Sequence, residues 1–520
     1  MKKIHFVQPL ILITSVILTI IPFFQTGLFD VHDPTSAFRL STLVSTISSG
    51  QFPASWNNSL NFGFGYPLHL YYAPLFTYLG AIFTSLVSAE IAVKIALVIA
   101  SFVGTIGVYF SLLSIGPYAA TVAAVAFTYL PYRASALYVR GSYAEFLAMS
   151  LLPWVIYFWT KQQRSKQVIL TTAILTALFA LSHNTLPILV APIILLTIFL
   201  YQGRYIKGSV LAFLATIGLT AWFILPVFLE RSFVQVDSVA RLTNFRDHFL
   251  SIGQLWYSRW GYGGSSAGVA NDQMSFMIGK GQIILALIGV FALLKNKSYK
   301  ILSLLGFVVL FAVFLSLEQS RFIWEAFPLL SVMQFPWRSL AVAGVGVALL
   351  SGYSLTLVPV KFRGTVAIIL TILLIFTNYT YFHPQEYRNY NQDILTSQSN
   401  LDPLVRDKIP EYLPIWMPNF PGSGIADSLT RTPTKVFGTV VLPYAEPLTI
   451  STAYMPQWQL TLNGTKEQIK PNENGLITTV NNIQSGSHSV SLTWHRTQVE
   501  NIGLTISALT IIVVVGLLFI

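Results

Sequence analysis

The sequence contains no cysteine, and only 10% of its 520 residues are charged. The missing cysteine excludes disulfides, thiolate nucleophiles and thiolate metal sites. The eight histidines are scattered without H-x-H or H-E-x-x-H spacing, so their pattern indicates no histidine-held metal. The chain also has no Walker or glycine-rich phosphate loop, the motifs that bind nucleoside triphosphates.

The chain is rich in long runs of hydrophobic residues. Hydrophobic residues make up 54% of it, and its charged fraction lies far below the roughly 25% of soluble proteins. Apolar runs repeatedly approach the roughly 20 residues that cross a bilayer, which predicts a polytopic α-helical membrane protein. The predicted spans are 4–24, 90–113, 117–131, 144–160, 168–181, 185–202, 206–229, 281–294, 301–317, 338–359, 364–382 and 501–520.

The orientation of these spans depends on one further apolar segment, 71–88. If it does not cross, the positive-inside rule places twelve basic residues and no acidic residue in the cytoplasm. We therefore expect 71–88 to lie flat on the outer face or to re-enter, with both termini cytoplasmic in a plasma membrane. The net charge of +11 is then an orientation signal, and we expect no nucleic-acid partner. The twelve are Lys2, Lys3, Lys161, Arg164, Lys166, Arg204, Lys207, Lys295, Lys297, Lys300, Lys361 and Arg363.

The largest external segment, 383–500, differs in kind from the rest. Short β-rich runs such as "LTISTAY" and "SHSVSLTWH" are separated there by Asn, Gly and Pro. This pattern predicts a β-sandwich-like domain between a transmembrane module, 1–382, and the final transmembrane helix, 501–520. We expect the domain to fold independently and to contribute no catalytic residue.

A smaller external loop, 25–89, contains the stretch "FDVHDPTSAFRL". Asp33 followed by Pro34 is a strong helix start, and it predicts an amphipathic helix over 34–49 on the outer leaflet. Asp33 is then either a helix cap or a working carboxylate. Every acidic residue lies outside or at an outer membrane edge, so chemistry that needs a carboxylate belongs on the external face. An activated donor there must arrive in the lipid phase, such as a polyprenyl-phosphate sugar.

The same loop continues with "WNNSLNFGFGYPLHLYYAPL", residues 56–75. Together with the preceding "HD" and the amphipathic helix, it resembles the first external loop of GT-C-type membrane glycosyltransferases. The chain resembles in particular the bacterial YfhO-like group and the membrane proteins described as 6-pyruvoyl-tetrahydropterin synthase-related. The soluble pterin synthase is a zinc enzyme, and this sequence has no histidine cluster to hold zinc, so we do not expect pterin chemistry. Further matching stretches are "RGSYAEFLAMSLLPW" (140–154), "LSHN" (181–184), "MQFPWRSLAVAG" (333–344) and "YMPQWQLTLNG…NGLITTV…GSHSVSLTW" (454–494).

The resemblance implies roles for particular residues. Asp33 would be the general base on the acceptor or would orient it, with Asp30 in reserve. Glu145 would be a second acidic position, with a helix cap or an ion pair to Arg140 as the alternative. His32 replaces the second adjacent acid of many relatives, which leaves a divalent metal ion open as a cofactor. The other acceptor-side candidates are Trp56, Tyr66, Tyr71 and Tyr72, of which the two last fit an interfacial aromatic belt equally well.

A lipid-linked donor brings a phosphate that cations at the outer membrane edge would hold. Lys94 is the most suggestive, because it lies inside an apolar run, although each of these cations could instead snorkel to the interface. The resulting hypothesis is a glycosyltransferase, specifically a hexosyltransferase, that uses a lipid-linked sugar donor. The alternatives are a transporter or flippase of lipid-linked glycans and a non-catalytic scaffold for envelope assembly. The candidate phosphate-binding residues are Lys94, Arg133, Arg140, His183 and Arg338.

Overall fold

The computed structural model of the protein describes residues 7–236, 244–389, 410–417 and 427–519. Within these ranges, each predicted span coincides with a helix. The twelve helices are Val7–Ile20, Ala89–Leu112, Pro117–Thr128, Tyr143–Thr160, Lys166–Ser182, Leu186–Tyr201, Ile206–Leu229, Lys280–Lys295, Tyr299–Ser316, Leu340–Tyr353, Arg363–Asn378 and Gln498–Phe519.

Length separates these helices into two groups. In the described part of the chain, seven are long and apolar enough to cross a membrane. Others are short: Pro117–Thr128 has 12 residues, about 18 Å at 1.5 Å per residue, against a hydrocarbon core of about 30 Å. A second helix, Pro131–Tyr138, continues the path after a two-residue break. The twelve-span topology and its orientation therefore stay a prediction.

The helix Leu340–Tyr353 forms the centre of the bundle, because all of its residues are buried. It packs against Pro117–Thr128, Lys280–Lys295 and Tyr299–Ser316. Its sequence, LAVAGVGVALLSGY, is rich in small residues that let neighbouring helix backbones approach closely. The 3-10 turn Pro336–Ser339 precedes it and places Arg338 at the entrance to this core.

The helix expected over 34–49 begins at Ser36 and runs to Ser48. Asp33 is therefore not its N-cap. It accepts hydrogen bonds from the backbone N–H of Thr35 at 3.2 Å and from the Thr35 hydroxyl, so it shapes the turn before the helix. The expected solvated polar face is also wrong, because Arg39, Thr42 and Thr46 are all buried against the rest of the loop.

The segment 71–88 is not one helix. It contains the end of Leu68–Tyr71 and a second helix, Leu75–Ala81, with a break before Leu75. A helix of seven residues is about 10 Å long, a third of the hydrocarbon thickness, so neither piece can cross alone.

Two antiparallel sheets lie in the segment 383–500. One has, in spatial order, the strands Thr430–Thr432 (β3), Lys435–Leu442 (β4), Gly486–Trp494 (β10), Trp458–Leu462 (β6) and Thr465–Glu467 (β7), and the other has Thr449–Ala453 (β5), Leu476–Thr479 (β9) and Ile469–Pro471 (β8). Residues alternate between buried and exposed along β6, as expected for a strand with one covered face.

These sheets are docked on the first external loop through Trp56. Its fully buried ring stacks on Trp494 at a centroid distance of 4.7 Å and meets Trp458 edge-on at 5.5 Å. Gly65 lies against the same ring: a Cβ there would be 2.1 Å from a Trp56 carbon, and its φ is +90°. The aromatic, glycine-rich loop therefore packs directly against the β-sheets.

A second connection joins the segments 25–89 and 383–500. Leu28–Phe29 (β1) pairs antiparallel with Tyr387–Arg388 (β2). The backbone N–H of Asp30 extends this pairing by donating to Glu386 at 2.9 Å. The loop that carries Asp33 is thereby fixed at its start to the C-terminal segment.

Candidate active site

Glu145 lies fully buried in the first turn of the helix Tyr143–Thr160. Arg140 donates to it twice, from Nη1 to Oε1 at 2.8 Å and from Nη2 to Oε2 at 2.7 Å. The Tyr132 hydroxyl donates to Oε1 at 2.6 Å. Paired, charge-assisted bonds of this kind are strong and directional, so the carboxylate is held in one position. Of the two interpretations of Glu145, the ion pair with Arg140 describes its contacts.

The same carboxylate faces two further nitrogen-bearing side chains. Arg338 Nε and His183 Nε2 each lie 4.0 Å from Glu145 Oε2. Arg338 donates from Nη1 to the Met333 carbonyl at 2.8 Å, but its buried Nε has no hydrogen-bond partner in the described part of the chain. One carboxylate thus stands between two guanidinium groups, of which Arg338 keeps a nitrogen without a partner in the described residues.

His183 is neutral in this setting. Burial lowers its pKa to about 4, and the nearby Arg338 and Arg140 act in the same direction against Glu145. Its Nδ1 accepts hydrogen bonds from the backbone N–H groups of Thr185 at 3.3 Å and Leu186 at 3.2 Å. The neutral ring therefore carries its proton on Nε2, the nitrogen that faces Glu145.

Asp33 is attached to the same site through its backbone. Its N–H donates to the Arg140 carbonyl at 3.0 Å, and the His32 N–H donates to the Val139 carbonyl at 3.0 Å. Gly141 makes this approach possible: its φ is +66°, and a Cβ there would lie 2.7 Å from the Asp33 carbonyl oxygen. Two residues far apart in sequence are thus fixed side by side.

The carboxylate of Asp33 pairs with Arg39, with Oδ2 3.1 Å from Nη1. The Asp33 side chain is 30% exposed, whereas Arg39 is buried with its guanidinium 3.9 Å from the centre of the Tyr72 ring. Asp33 is therefore held by an arginine and a turn on one side and open on the other.

Glu411 adds a further acidic side chain, from the segment 410–417. Burial raises the pKa of Glu411; the charge of Asp33 adds to this rise, and the charges of Arg39 and Arg338 oppose it. The next residue, Tyr412, anchors the segment: its N–H donates to the Tyr66 hydroxyl at 2.9 Å. We call the following six residues the charge cluster: Asp33, Arg39, Arg140, Glu145, Arg338 and Glu411.

Two predicted phosphate-binding residues have their contacts elsewhere. Lys94 donates from Nζ to the Gln25 carbonyl, which ties the helix Ala89–Leu112 to the end of the first one. Arg133 is buried between the rings of Phe127 and Phe146, at 4.2 Å from each centroid. Each side chain has a packing role that accounts for its position.

The reserve catalytic candidate Asp30 and some acceptor-side candidates also join segments of the chain. Asp30 pairs with Arg388, Oδ1 to Nε at 3.0 Å, and His32 Nε2 is 2.9 Å from the Tyr262 carbonyl oxygen. The ring of Tyr71 stacks on Tyr412 at a centroid distance of 6.0 Å. Tyr72 contacts a charged member of the cluster, through the Arg39 guanidinium already described.

Arg39 and Glu411 are the members that sequence reasoning missed. The spacing of six between Asp33 and Arg39 gives no helical pairing signal. Glu411 lies in the segment expected to contribute no site residue. In the described residues, no group of three or more His, Asp or Glu is arranged to hold a metal ion.

The sequence matches a family model described as the 6-pyruvoyl-tetrahydropterin synthase related domain, a membrane protein, over residues 69–384. The chain belongs to this family. In this member of the synthase-related family, Arg140, Glu145 and Arg338 lie inside the matched region, whereas Asp33 and Glu411 lie outside it. The family region therefore contains the buried ion pair, and the flanking segments bring the accessible carboxylate. No curated protein matches the sequence.

Three solved structures show a low overall likeness to this member of the family. The mycobacterial arabinofuranosyltransferase AftD is 14% identical, with a TM-score of 0.48, over 73% of this chain and 27% of its own. ArnT from Cupriavidus metallidurans, bound to undecaprenyl phosphate, is 13% identical, with a TM-score of 0.32, over 66% of this chain and 77% of its own. The Archaeoglobus fulgidus oligosaccharyltransferase is 14% identical, with a TM-score of 0.34, over 74% of this chain and 54% of its own. The chain spans about a quarter of the length of AftD.

Proposed function

We propose that the protein is a GT-C-type glycosyltransferase that transfers a sugar from a polyprenyl-phosphate donor to an acceptor on the external face of the membrane. The observation that carries the proposal is the charge cluster, in which an accessible carboxylate lies beside buried arginines. A reaction that develops a negative phosphate and releases a proton needs both of these groups close together.

The arginines supply the phosphate site. Arg140 is engaged by Glu145 on both of its terminal nitrogens, whereas Arg338 lies 4.0 Å from that carboxylate and has a free Nε in the described structure. Guanidinium groups match phosphate oxygens in a two-point geometry. Arg338 is therefore the residue that we expect to hold the donor phosphate, with Arg39 on the acceptor side of the cluster.

Asp33 is the candidate base. Glu145 is fully buried and accepts four hydrogen bonds, from Tyr132, from Arg140 twice and from Ser142, whereas Asp33 is partly exposed. In the reaction, the acceptor hydroxyl oxygen bonds to the anomeric carbon of the sugar and gives its proton to the Asp33 carboxylate. The bond from that carbon to the phosphate oxygen breaks, and its electron pair leaves with the polyprenyl phosphate.

Glu145 has a positioning role in this scheme. It fixes Arg140, whose backbone carbonyl in turn holds the Asp33 N–H. It also limits how far the Arg338 guanidinium can turn. The acidic position that the resemblance assigned to catalysis thus acts by fixing the geometry of the groups that would touch substrate.

The test compares two matched aspartates. Asp33 and Asp30 are each 30% exposed and each paired with an arginine, but the partner of Asp33 is buried and that of Asp30 is 58% exposed, so Asp30→Asn controls for the loss of a carboxylate and the unfolding measurement controls for the unpaired Arg39. Asp33→Asn keeps an oxygen for the Thr35 turn but cannot accept the proton. We expect sugar transfer in proteoliposomes supplied with polyprenyl-phosphate sugars to fall by about 10²- to 10⁴-fold, and Asp30→Asn to stay near the wild-type rate.

Folding must be measured on the same samples, by circular dichroism and thermal unfolding. Full transfer activity in Asp33→Asn would contradict the assignment of the base. Movement of labelled donor across the bilayer without formation of a new glycosidic bond would favour the transporter alternative instead.

A further inference from the structure

An apolar groove opens between three of the membrane helices. It is lined by residues of Lys166–Ser182, Ile206–Leu229 and Gln498–Phe519. Its volume is about 560 Å³, within the roughly 300–1,000 Å³ of ligand sites. Apart from Lys166 and Thr510, every residue that lines it is apolar. The Thr510 hydroxyl donates to a carbonyl of its own helix at 2.8 Å, so the groove offers a surface for hydrocarbon.

The groove ends near the middle of the helices. There the Thr216 hydroxyl donates to the Ala173 carbonyl at 3.3 Å. The Ser507 hydroxyl likewise donates to the Gly218 carbonyl at 2.8 Å. Along the last helix the lining spans 509–517, about 12 Å at 1.5 Å per residue, against about 15 Å for one leaflet of a bilayer core. The groove therefore has the length of an acyl chain in a single leaflet.

The other end of the groove begins at two lysines. Lys166 lines the groove in the first turn of its helix. Lys207 lies in the first turn of Ile206–Leu229, four residues before Leu211 and seven before Leu214, which both line the groove. Residues at this spacing share one face of a helix. Lys207 therefore lies on the face that forms the groove, and both lysines are exposed.

Two arginines lie in the turns beside these lysines. The turns 161–166 and 202–207 are packed together, because the backbone N–H of Gln163 donates to Gln202 Oε1 at 2.9 Å. The Gln202 amide in turn donates to the Lys161 carbonyl at 2.9 Å. We call four exposed residues of these turns the basic mouth: Arg164, Lys166, Arg204 and Lys207.

The three helices supply no carboxylate to the basic mouth. Residues 146–229 contain no Asp or Glu, and the last acidic residue, Glu500, lies at the opposite end of its helix from Leu517. The positive-inside rule accounts for basic residues at this end, but not for an apolar groove that opens beside them. A ligand with a negative headgroup and a hydrocarbon chain matches both features.

We infer that the groove binds one anionic phospholipid, with an acyl chain between the helices and the phosphate between Lys166 and Lys207. Basic pockets between transmembrane helices bind anionic headgroups, and anionic lipids give the cytoplasmic leaflet its negative surface. In the predicted orientation the basic mouth faces that leaflet. The helix Lys166–Ser182 has the groove at its start, and His183, beside Glu145, follows its end, about 25 Å away at 1.5 Å per residue. The inference therefore holds whether or not the charge cluster is catalytic.

The experiment measures lipid binding to the full chain, purified in detergent, by native mass spectrometry. Phosphatidylglycerol and phosphatidylcholine with identical acyl chains are titrated separately, so that the two lipids differ only in their headgroups. We expect one phosphatidylglycerol to bind in preference to phosphatidylcholine. Lys166→Gln/Lys207→Gln should weaken its binding roughly 30-fold, about fivefold for each lysine. The control Lys295→Gln/Lys361→Gln removes two exposed basic residues from other predicted cytoplasmic loops and should leave the binding nearly unchanged.

Ala215→Leu tests the groove itself. Ala215 lines the groove, so the larger side chain would fill part of its volume without changing any charge. We expect weaker binding of phosphatidylglycerol at an unchanged midpoint of thermal unfolding, followed by circular dichroism.

Three results would overturn the inference: equal affinity for the two lipids, equal weakening by the two lysine double variants, or unchanged binding in Ala215→Leu. The first would indicate a groove without selection for the headgroup, and the second a general attraction of anionic lipid to the net positive charge. A dimer in lipid-free detergent that Ala215→Leu disrupts would instead assign the groove to a second copy of the chain.

Discussion

Glu145 is surrounded by more positive charge than one carboxylate can neutralise, and this asymmetry gives a quantitative prediction. Glu145→Gln keeps the shape of the side chain but leaves Arg140 and Arg338 buried without their shared anion. Arg140→Gln leaves the carboxylate with Arg338 and His183, each 4.0 Å from Oε2. The loss of the acid should therefore destabilise the protein more than the loss of the arginine.

The magnitude follows from the distances. At an effective dielectric constant of 20, two unit charges 4 Å apart interact by about 4 kcal/mol before desolvation is counted. Deleting one partner of a buried ion pair costs about 3–5 kcal/mol. We expect Glu145→Gln to lie at the upper end of this range. Arg140→Gln should cost about 2 kcal/mol less, since Arg338 takes over part of the pairing. The double variant should cost less than the sum of the two.

The assay is denaturant unfolding of the purified full chain in detergent, followed by circular dichroism, with the midpoint and slope compared between variants. Glu325→Gln provides a control, because Glu325 forms a solvent-exposed pair with Arg321 and should change the midpoint hardly at all. The reasoning would be refuted if Arg140→Gln cost as much as Glu145→Gln, or if both matched the exposed control.

Three further predictions concern the site and the topology. Gly141→Ala should lower the free energy of unfolding by at least about 1–2 kcal/mol and slow sugar transfer, because φ is positive there and the added Cβ would lie 2.7 Å from a backbone oxygen. Gly306→Ala is the control, since its Cβ would meet nothing within 4 Å. Unchanged unfolding and activity in Gly141→Ala would contradict this prediction. Because burial lowers the pKa of His183 to about 4, the unfolded chain binds its proton first as the pH falls from about 6.5. Stability should decline down to about pH 4, by up to about 1.4 kcal/mol per pH unit, and the decline should be smaller in His183→Gln; an identical pH profile would exclude this role. Since the wild type has no cysteine, Ser165→Cys in intact cells should resist an impermeant thiol reagent that labels Glu473→Cys, and external labelling at 165 would reverse the proposed orientation.

What sequence determined by itself is the membrane character of the chain and the position of its long helices. Both signals are local. An apolar run long enough to cross a bilayer is visible without knowing its neighbours, since lipid rather than a partner segment covers it. The alternation of residues in strands such as β6 is equally local, because side chains two apart share one face of a strand.

Tertiary structure alone decided which charges meet. Arg140 and Glu145 are close in sequence, and their pairing was one of the two predicted readings. Arg338 and Glu411 reach the same site from other helices and from the external segment, and no periodicity relates them to Asp33. The polar face of the helix Ser36–Ser48 illustrates the reason: a stripe of Arg and Thr looks the same whether it faces water or a polar loop. Whether the stripe is exposed or buried depends on the segment that packs over it. Burial of such groups needs hydrogen-bonding partners that the local sequence does not specify.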